Sequence, residues 1–287
     1  MVLSTQELER VLGELPPGPR MPAIFVGHGS PSNAIEDNPF TRALTGMGRG
    51  FAEPPRAILV ISAHWLTAGT MVQAGERPET IHDFGGFPDE LYRIQYPAPG
   101  APLYARATAG LLGGDAVETS EWGLDHGAWT VLRHIFPEAR IPVFQLSIDW
   151  ARPIGFHYEF ARALKPLRDR GVLIIGSGNV VHNLRLSMPR FVAGDARPFD
   201  WAVEFDHWVG ARLEARDYAG LSRQGDAGQS ALLAVPSPDH YVPLLYTAAV
   251  CDPDEPLTPV YDEVCYGGMS MRTFRVGDLL PERSQRV

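Results

Sequence analysis

Lysine is almost missing from this chain: Lys165 is the only one, and every other basic side chain is arginine. No Gly-Lys-Ser/Thr phosphate loop can therefore exist, and a Schiff base would have to use Lys165, which sits in a charged helical stretch. Cysteine is scarce too. Cys251 and Cys265 make neither a metal-type spacing nor a disulfide framework. No apolar run approaches membrane-spanning length, and the opening VLSTQELERVLGEL is charged and amphipathic rather than leader-like. A soluble, cytoplasmic protein without a membrane partner is expected. Also absent are a His-Glu-x-x-His helix and a Gly-x-Ser-x-Gly elbow. Ser30 and Ser177 stand beside glycines but read as turn residues. The formal net charge of -9 is spread along the chain with no basic block, which argues against nucleic acid as a partner.

What is present is ordinary in bulk and unusual in pattern. With 287 residues, 45% of them hydrophobic and 21% charged, the chain can bury a sizeable core and is too apolar for disorder. Ala57-Ile-Leu-Val-Ile reads as a strand buried on both faces of a parallel sheet. It stops at Ser62-Ala63-His64-Trp65, so a histidine lies just past the strand's carboxyl end. In open α/β sheets that edge is where ligands bind. The same phrase recurs three times. Ala23-Ile-Phe-Val-Gly leads to His28, Val172-Leu-Ile-Ile-Gly leads through Ser177-Gly178-Asn179 to His182, and Ala231-Leu-Leu-Ala-Val leads to His240. Four neighbouring strands would gather four histidines at one edge.

Between these runs the pattern turns helical. Helices are predicted over Ser4–Leu15, from about Asn38-Pro39, and over Leu103–Leu112, Ala128–Phe136, Pro153–Arg170, Phe199–Arg216 and Tyr241–Val250. Ile141–Ile148 reads as a further strand and Gly267–Val276 as the last one, while Arg223–Ser230 reads as a polar loop. Glu76–Pro102 is irregular, dense in glycine, proline and aromatics, with a short helix at most at Asp89–Leu91. Such a segment is either a wall over the site or a surface loop packed by its own rings. Alternating strands and helices indicate one α/β domain: a central, mostly parallel (mixed) sheet flanked by helices, with its site at the carboxyl ends of the strands.

A lone histidine is more often structural than a ligand, but four at matching strand ends point to a metal, because neutral imidazole suits Zn, Fe, Cu and Ni. His28, His64 and His240 follow their strands on short connections suited to ligation. His182 is either a fourth ligand or a free acid/base. His126, beside Asp125, either donates to a substrate or caps the following helix. His82 either lines the pocket or packs at the surface, whereas His134, His157 and His207 read as structural.

Six blocks, GHGSPSNAIEDNPF, ISAHW, HDFGGFPDELY, LDHGAW, GSGNVVHNL and SPDHYVPLLY, run in order from about Met21 to Gly277. They resemble the DOPA-type extradiol dioxygenases of bacteria and plants, within the class III extradiol ring-cleavage enzymes. The resemblance implies a helical extension over residues 1–20 and a catalytic domain over 21–287. It also implies a mononuclear non-haem Fe(II) site that Zn(II) can occupy, with His28, His64 and His240 as ligands. His182 becomes the acid/base (in some relatives a fourth zinc contact), with a pKa expected near neutrality, and His126 faces the substrate. The wider class uses a glutamate as third ligand; His240 stands there in this chain, as in the DOPA-type branch, and makes the site more neutral and more tolerant of zinc. The implied partners are a small catechol and O2, with the protein a monomer or small homo-oligomer. Arg93 or Arg185 is available for a substrate carboxylate. A zinc hydrolase built on the same histidines, and a non-catalytic binding protein such as the Memo proteins that share the fold, are the rival readings.

Overall fold

Four runs without a charged side chain form the heart of the sheet: β1 (Ala23–Gly27), β2 (Ala57–Ser62), β3 (Val143–Gln145) and β4 (Val172–Gly178), each buried along its whole length. The structure is a computed structural model that describes residues 4–279; residues 1–3 and 280–287, the outer ends of the two expected segments, lie outside the described residues. The four strands pair in parallel in the order β3-β2-β4-β1. Two more, β5 (Leu257–Tyr261) and β6 (Thr273–Val276), extend the edge antiparallel, β6 against β1 and β5 against β6. The sheet is mixed and mostly parallel, as expected.

Helices cover both faces because alternate strand residues point to opposite sides. Phe25, Leu59, Ile61 and Ile174 pack under α1 (Thr5–Gly13), α3 (Pro102–Leu111), α5 (Ile154–Ala161), α7 (Asp200–Glu214) and α9 (Val242–Ala249). Ile24, Val26, Ile58, Val60 and Ile175 pack under α2 (Pro39–Arg49) and α4 (His126–Ile135). Each such side chain, fully buried, stabilises the fold by roughly 1.5–3 kcal/mol. Local signals agree with this plan. Ser4 and Glu7 close a capping box on α1, and Asn38 caps α2 with Pro39 in its first turn. Gly171, at φ 77°, ends the helical stretch before β4 in a left-handed conformation that suits glycine.

Register then sets the level at which the chain leaves the sheet. Gly27 lies beside Gly178, and Ser62 beside Ser177. His28, His64 and Asn179 therefore depart from one edge.

The structure corrects four sequence expectations. The Ala231 run is not a strand but α8 (Gln229–Ala234). Alanine and leucine are strong helix formers, and the run has no β-branched residue before Val235. Ala231 and Ala234, three apart, are buried, whereas Leu232 is 76% exposed, which is a helical rather than a strand pattern. Ile141–Ile148 breaks into β3 and a short pair, Ile148–Asp149 against Leu66–Thr67. Pro153–Arg170 is α-helical only to Ala161 and continues as a tighter 3-10 helix, where Pro166 cannot supply an α-type backbone donor. The stretch read as a polar loop mostly forms a 3-10 helix, Ala219–Ala227. Two paired strands outside the main sheet, Thr70–Gln73 and Ala116–Thr119, and the edge strand β5 carry no clear periodic signal.

Candidate metal centre

Three imidazoles converge at the carboxyl edge. One ring nitrogen each from His28, His64 and His240 lies within 4.8 Å of the others. His28 follows β1, and His64 sits two residues past β2. His240 arrives differently, on the loop between α8 and α9. That loop docks where Asn179 N–H donates to His240 O at 2.9 Å. The close approach depends on Gly178, since a Cβ there would stand 2.2 Å from His240 O.

Remote partners set the tautomers. Ser177 Oγ donates its proton to Gly127 O at 2.5 Å, so it accepts from His28 Nδ1–H at 3.0 Å. His240 Nδ1–H donates to the carboxylate of Asp239. In the neutral form of each ring, Nε2 is thus the nitrogen left with a lone pair. His28 Nε2 and His64 Nε2 face each other across 3.1 Å. Two metal–nitrogen bonds of about 2.1 Å meeting at roughly 90–110° separate their nitrogens by about 3.0–3.4 Å. The donor set therefore fits a divalent ion that accepts imidazole.

Burial, then the neighbouring imidazoles, pushes the pKa of His28 and His64 well below the ordinary range, so both are neutral and ready to ligate. The Asp239 carboxyl is held well below its usual range: burial opposes its charge, but the hydrogen bond and attraction of His240, with hydrogen bonds from Ser237 and the backbone, together outweigh burial. His182 stacks on His240 with ring centroids 3.5 Å apart and planes 9° apart. An ion about 2.1 Å from a nitrogen of each ring would sit between the two planes, where neither lone pair points. The two lone pairs do not converge, although a ring nitrogen of each and an Asp239 oxygen lie within 4.8 Å of one another. The His182 pKa, expected near neutrality, is pushed down to about 3 by burial and then by His240, with Asp239 opposing. His182 is therefore neutral and able to accept a proton.

His126 is the first residue of α4, and the helix cap is Asp125, whose side chain accepts from Ala128 N–H. Its ring lies 3.8 Å from that of His64. Asp83, from the aromatic segment, accepts from His126 Nδ1–H at 2.9 Å and from its backbone N–H at 2.8 Å. Phe84 meets the His126 ring edge-on at 5.6 Å and also packs on Phe87 and Tyr92. The segment is thus both wall and self-packed loop. Beneath the site, Asp125 accepts from Ser62 Oγ at 2.6 Å and Gln145 Nε2 at 3.0 Å; burial, with Asp83 nearby, raises its pKa.

Other candidates lie elsewhere. His82 binds Ile94 O and packs on Trp129, His134 binds Asn33 O, and His157 binds the Tyr246 hydroxyl. Arg93 is exposed and faces Asp89. Ser177, read as a turn residue, is a strand residue that holds His28. Sequence reasoning misses Asp83 and Asp239, although both stand in two of the six blocks.

Fold and site together define an α/β protein with a histidine cluster able to hold a metal ion, and the comparisons say of which family. Residues 21–270 match the family described as the catalytic LigB subunit of aromatic ring-opening dioxygenase. The chain belongs to this family, the extradiol ring-cleaving dioxygenases. It is 44% identical over 270 residues to a protein of Escherichia coli K12 named 4,5-DOPA dioxygenase extradiol, covering 90% of this chain and 95% of that one. A Beta vulgaris protein of the same name is 39% identical, over 77% of this chain and 83% of the relative. The solved structure of an uncharacterized Escherichia coli K12 protein superposes with a TM-score of 0.77 at 40% identity, covering 90% of this chain and 100% of that one. These names do not favour the hydrolase alternative. No helix among the described residues is long and apolar enough to cross a membrane.

Proposed function

We propose that this protein opens the aromatic ring of a DOPA-like catechol with O2, at a single ferrous ion held by His28, His64 and His240. The observation that carries the reading is the trio of convergent imidazole nitrogens in a chain of this family. When bound, ferrous iron would supply a Lewis-acidic, redox-active centre that holds catechol and O2 side by side; zinc fits the same donors without redox activity. His182, stacked beside His240 rather than aimed with it, accepts a proton from a catechol hydroxyl and later returns it to the opening ring. His126 hydrogen-bonds a substrate oxygen. Phe84, edge-on to His126, walls the site against water. We assign residues 21–287 to the catalytic domain and 1–20 to a helical extension, in a cytoplasmic monomer or small homo-oligomer.

The test is oxygen uptake by anaerobically iron-loaded protein after addition of L-DOPA, recorded with the visible spectrum. Uptake matched by a new yellow chromophore is the expected result. No uptake with L-DOPA, protocatechuate or simple catechols, despite bound iron, overturns the proposal.

A further inference from the structure

Asp83 lies in the irregular stretch between Gln73 and Leu91, yet both oxygens of its carboxylate are committed to one histidine. Oδ1 accepts the His126 backbone N–H at 2.8 Å, and Oδ2 accepts the ring Nδ1–H at 2.9 Å. The same Oδ2 stands 3.7 Å from His64 Nδ1. The backbone bond fixes where α4 begins relative to the aromatic segment. The ring bond does something further. An ionised carboxylate only accepts, so the nitrogen facing it must carry the proton, and a neutral His126 ring presents Nε2 as its lone pair. The His126 ring is then confined by His64 at 3.8 Å and by Phe84 at 5.6 Å, which leaves it little freedom to rotate.

We propose that Asp83 is a positioning residue for ring cleavage: it sets the tautomer and orientation of His126, so that Nε2 meets the substrate as a hydrogen-bond acceptor. The inference rests on the reading that His126 faces the substrate. Asp83 acts only through His126 and does not itself contact the substrate.

Asp83→Asn is the sharpest probe. It keeps size and an oxygen for the backbone N–H, but its amide turns an N–H toward Nδ1. Nδ1 must then accept, and the His126 proton moves to Nε2. Imidazole 15N NMR of the metal-free protein reads this directly, with the His126 signals identified by their disappearance in His126→Gln. The expected result is Nδ1–H in the wild type and Nε2–H in Asp83→Asn. In iron-loaded protein, kcat should fall about 10²- to 10⁴-fold, the range that loss of a correctly protonated histidine covers. KM should stay within about threefold, and iron content should not change. Asp83→Ala, with its side chain removed, should regain part of its turnover on addition of formate, while the wild type gains nothing.

An unchanged tautomer in Asp83→Asn overturns the inference. So does a kcat within about threefold of wild type. Loss of iron together with activity overturns it as well, because Asp83 would then act on His64 rather than His126. The NMR readout needs no turnover. A wild-type protein that consumes no oxygen sinks the dioxygenase reading, while the tautomer measurement still decides what Asp83 does to His126.

Discussion

At the amino end of the parallel strands, just ahead of β1 and β4, the fully buried Arg168 spends its donors on protein acceptors. It bonds Met21 O and Val250 O, each at 2.7 Å, and both carboxylate oxygens of Glu255. Arg20 joins Glu255 to Asp169 and Asp252, and Lys165 reaches Asp252 as well. At the carboxyl end of the same strands, His28 Nε2 and His64 Nε2 are turned toward each other across 3.1 Å, with a nitrogen of His240 close by. One end pairs its buried charges with one another; the other turns imidazole nitrogens toward a common point. Saturated charge networks protect a fold, whereas converging imidazole nitrogens mark a place for a ligand. The difference can be broken experimentally, because substitutions at the two ends should fail in different observables.

The largest effect is expected at the carboxyl end. His64→Ala should abolish iron binding, seen by metal analysis, and bring oxygen uptake to background while the urea midpoint of the metal-free protein moves little. Full iron occupancy in that variant would remove His64 from the ligand set. His182→Ala should separate binding from chemistry: iron is retained and turnover falls about 10²- to 10⁴-fold. Loss of iron there would make His182 a ligand after all. Arg168→Ala should do the reverse of both. It leaves Glu255 and two carbonyls without their partner at a cost of about 3–5 kcal/mol in urea unfolding, with kcat of the folded protein unchanged.

Gly178→Ala should touch both observables, since its new Cβ would meet the His240 carbonyl. About 1–3 kcal/mol of stability and roughly 10- to 100-fold in metal affinity are the expected losses, read by urea unfolding and metal competition. The smallest effect is a pH dependence at the amino end. Burial opposes charge on Glu255, but hydrogen bonds from Arg168, the Asp252 backbone and Arg20 hold its carboxyl at about 2, against an ordinary value of 4.5. A depressed carboxyl stabilises the fold above its unfolded value, so this contribution is complete above pH 4.5 and is lost as pH falls toward 2. Glu255→Gln should flatten that acid limb in urea titrations; an unchanged slope would show that the Arg168 network carries no such linkage.

Much of this architecture is legible in the order of residues alone. β1, β2 and β4 declare themselves because a strand buried on both faces must be apolar at nearly every position, and His28 and His64 stand just beyond two of them. α8 misleads for the converse reason. A short apolar run without β-branching suits helix and strand alike until its neighbours are known, and Leu232 faces solvent. His240 still reaches the site, but through a docked loop rather than a strand end. The acidic partners are harder to find. Asp83 acts 43 residues from His126 and out of an irregular segment, and Ser62 reaches Asp125 across 63 residues. No periodicity connects such pairs.

By itself, the sequence determined that β1, β2 and β4 enter the sheet and that imidazoles follow β1 and β2, because burial and local conformational preference act residue by residue along the chain. Only the tertiary structure decided which ring nitrogens stay bare, which histidine stacks aside, and which carboxylate holds each ring. Those choices depend on hydrogen-bond partners from distant segments, and a side chain's protonation and direction are set by what surrounds it in space.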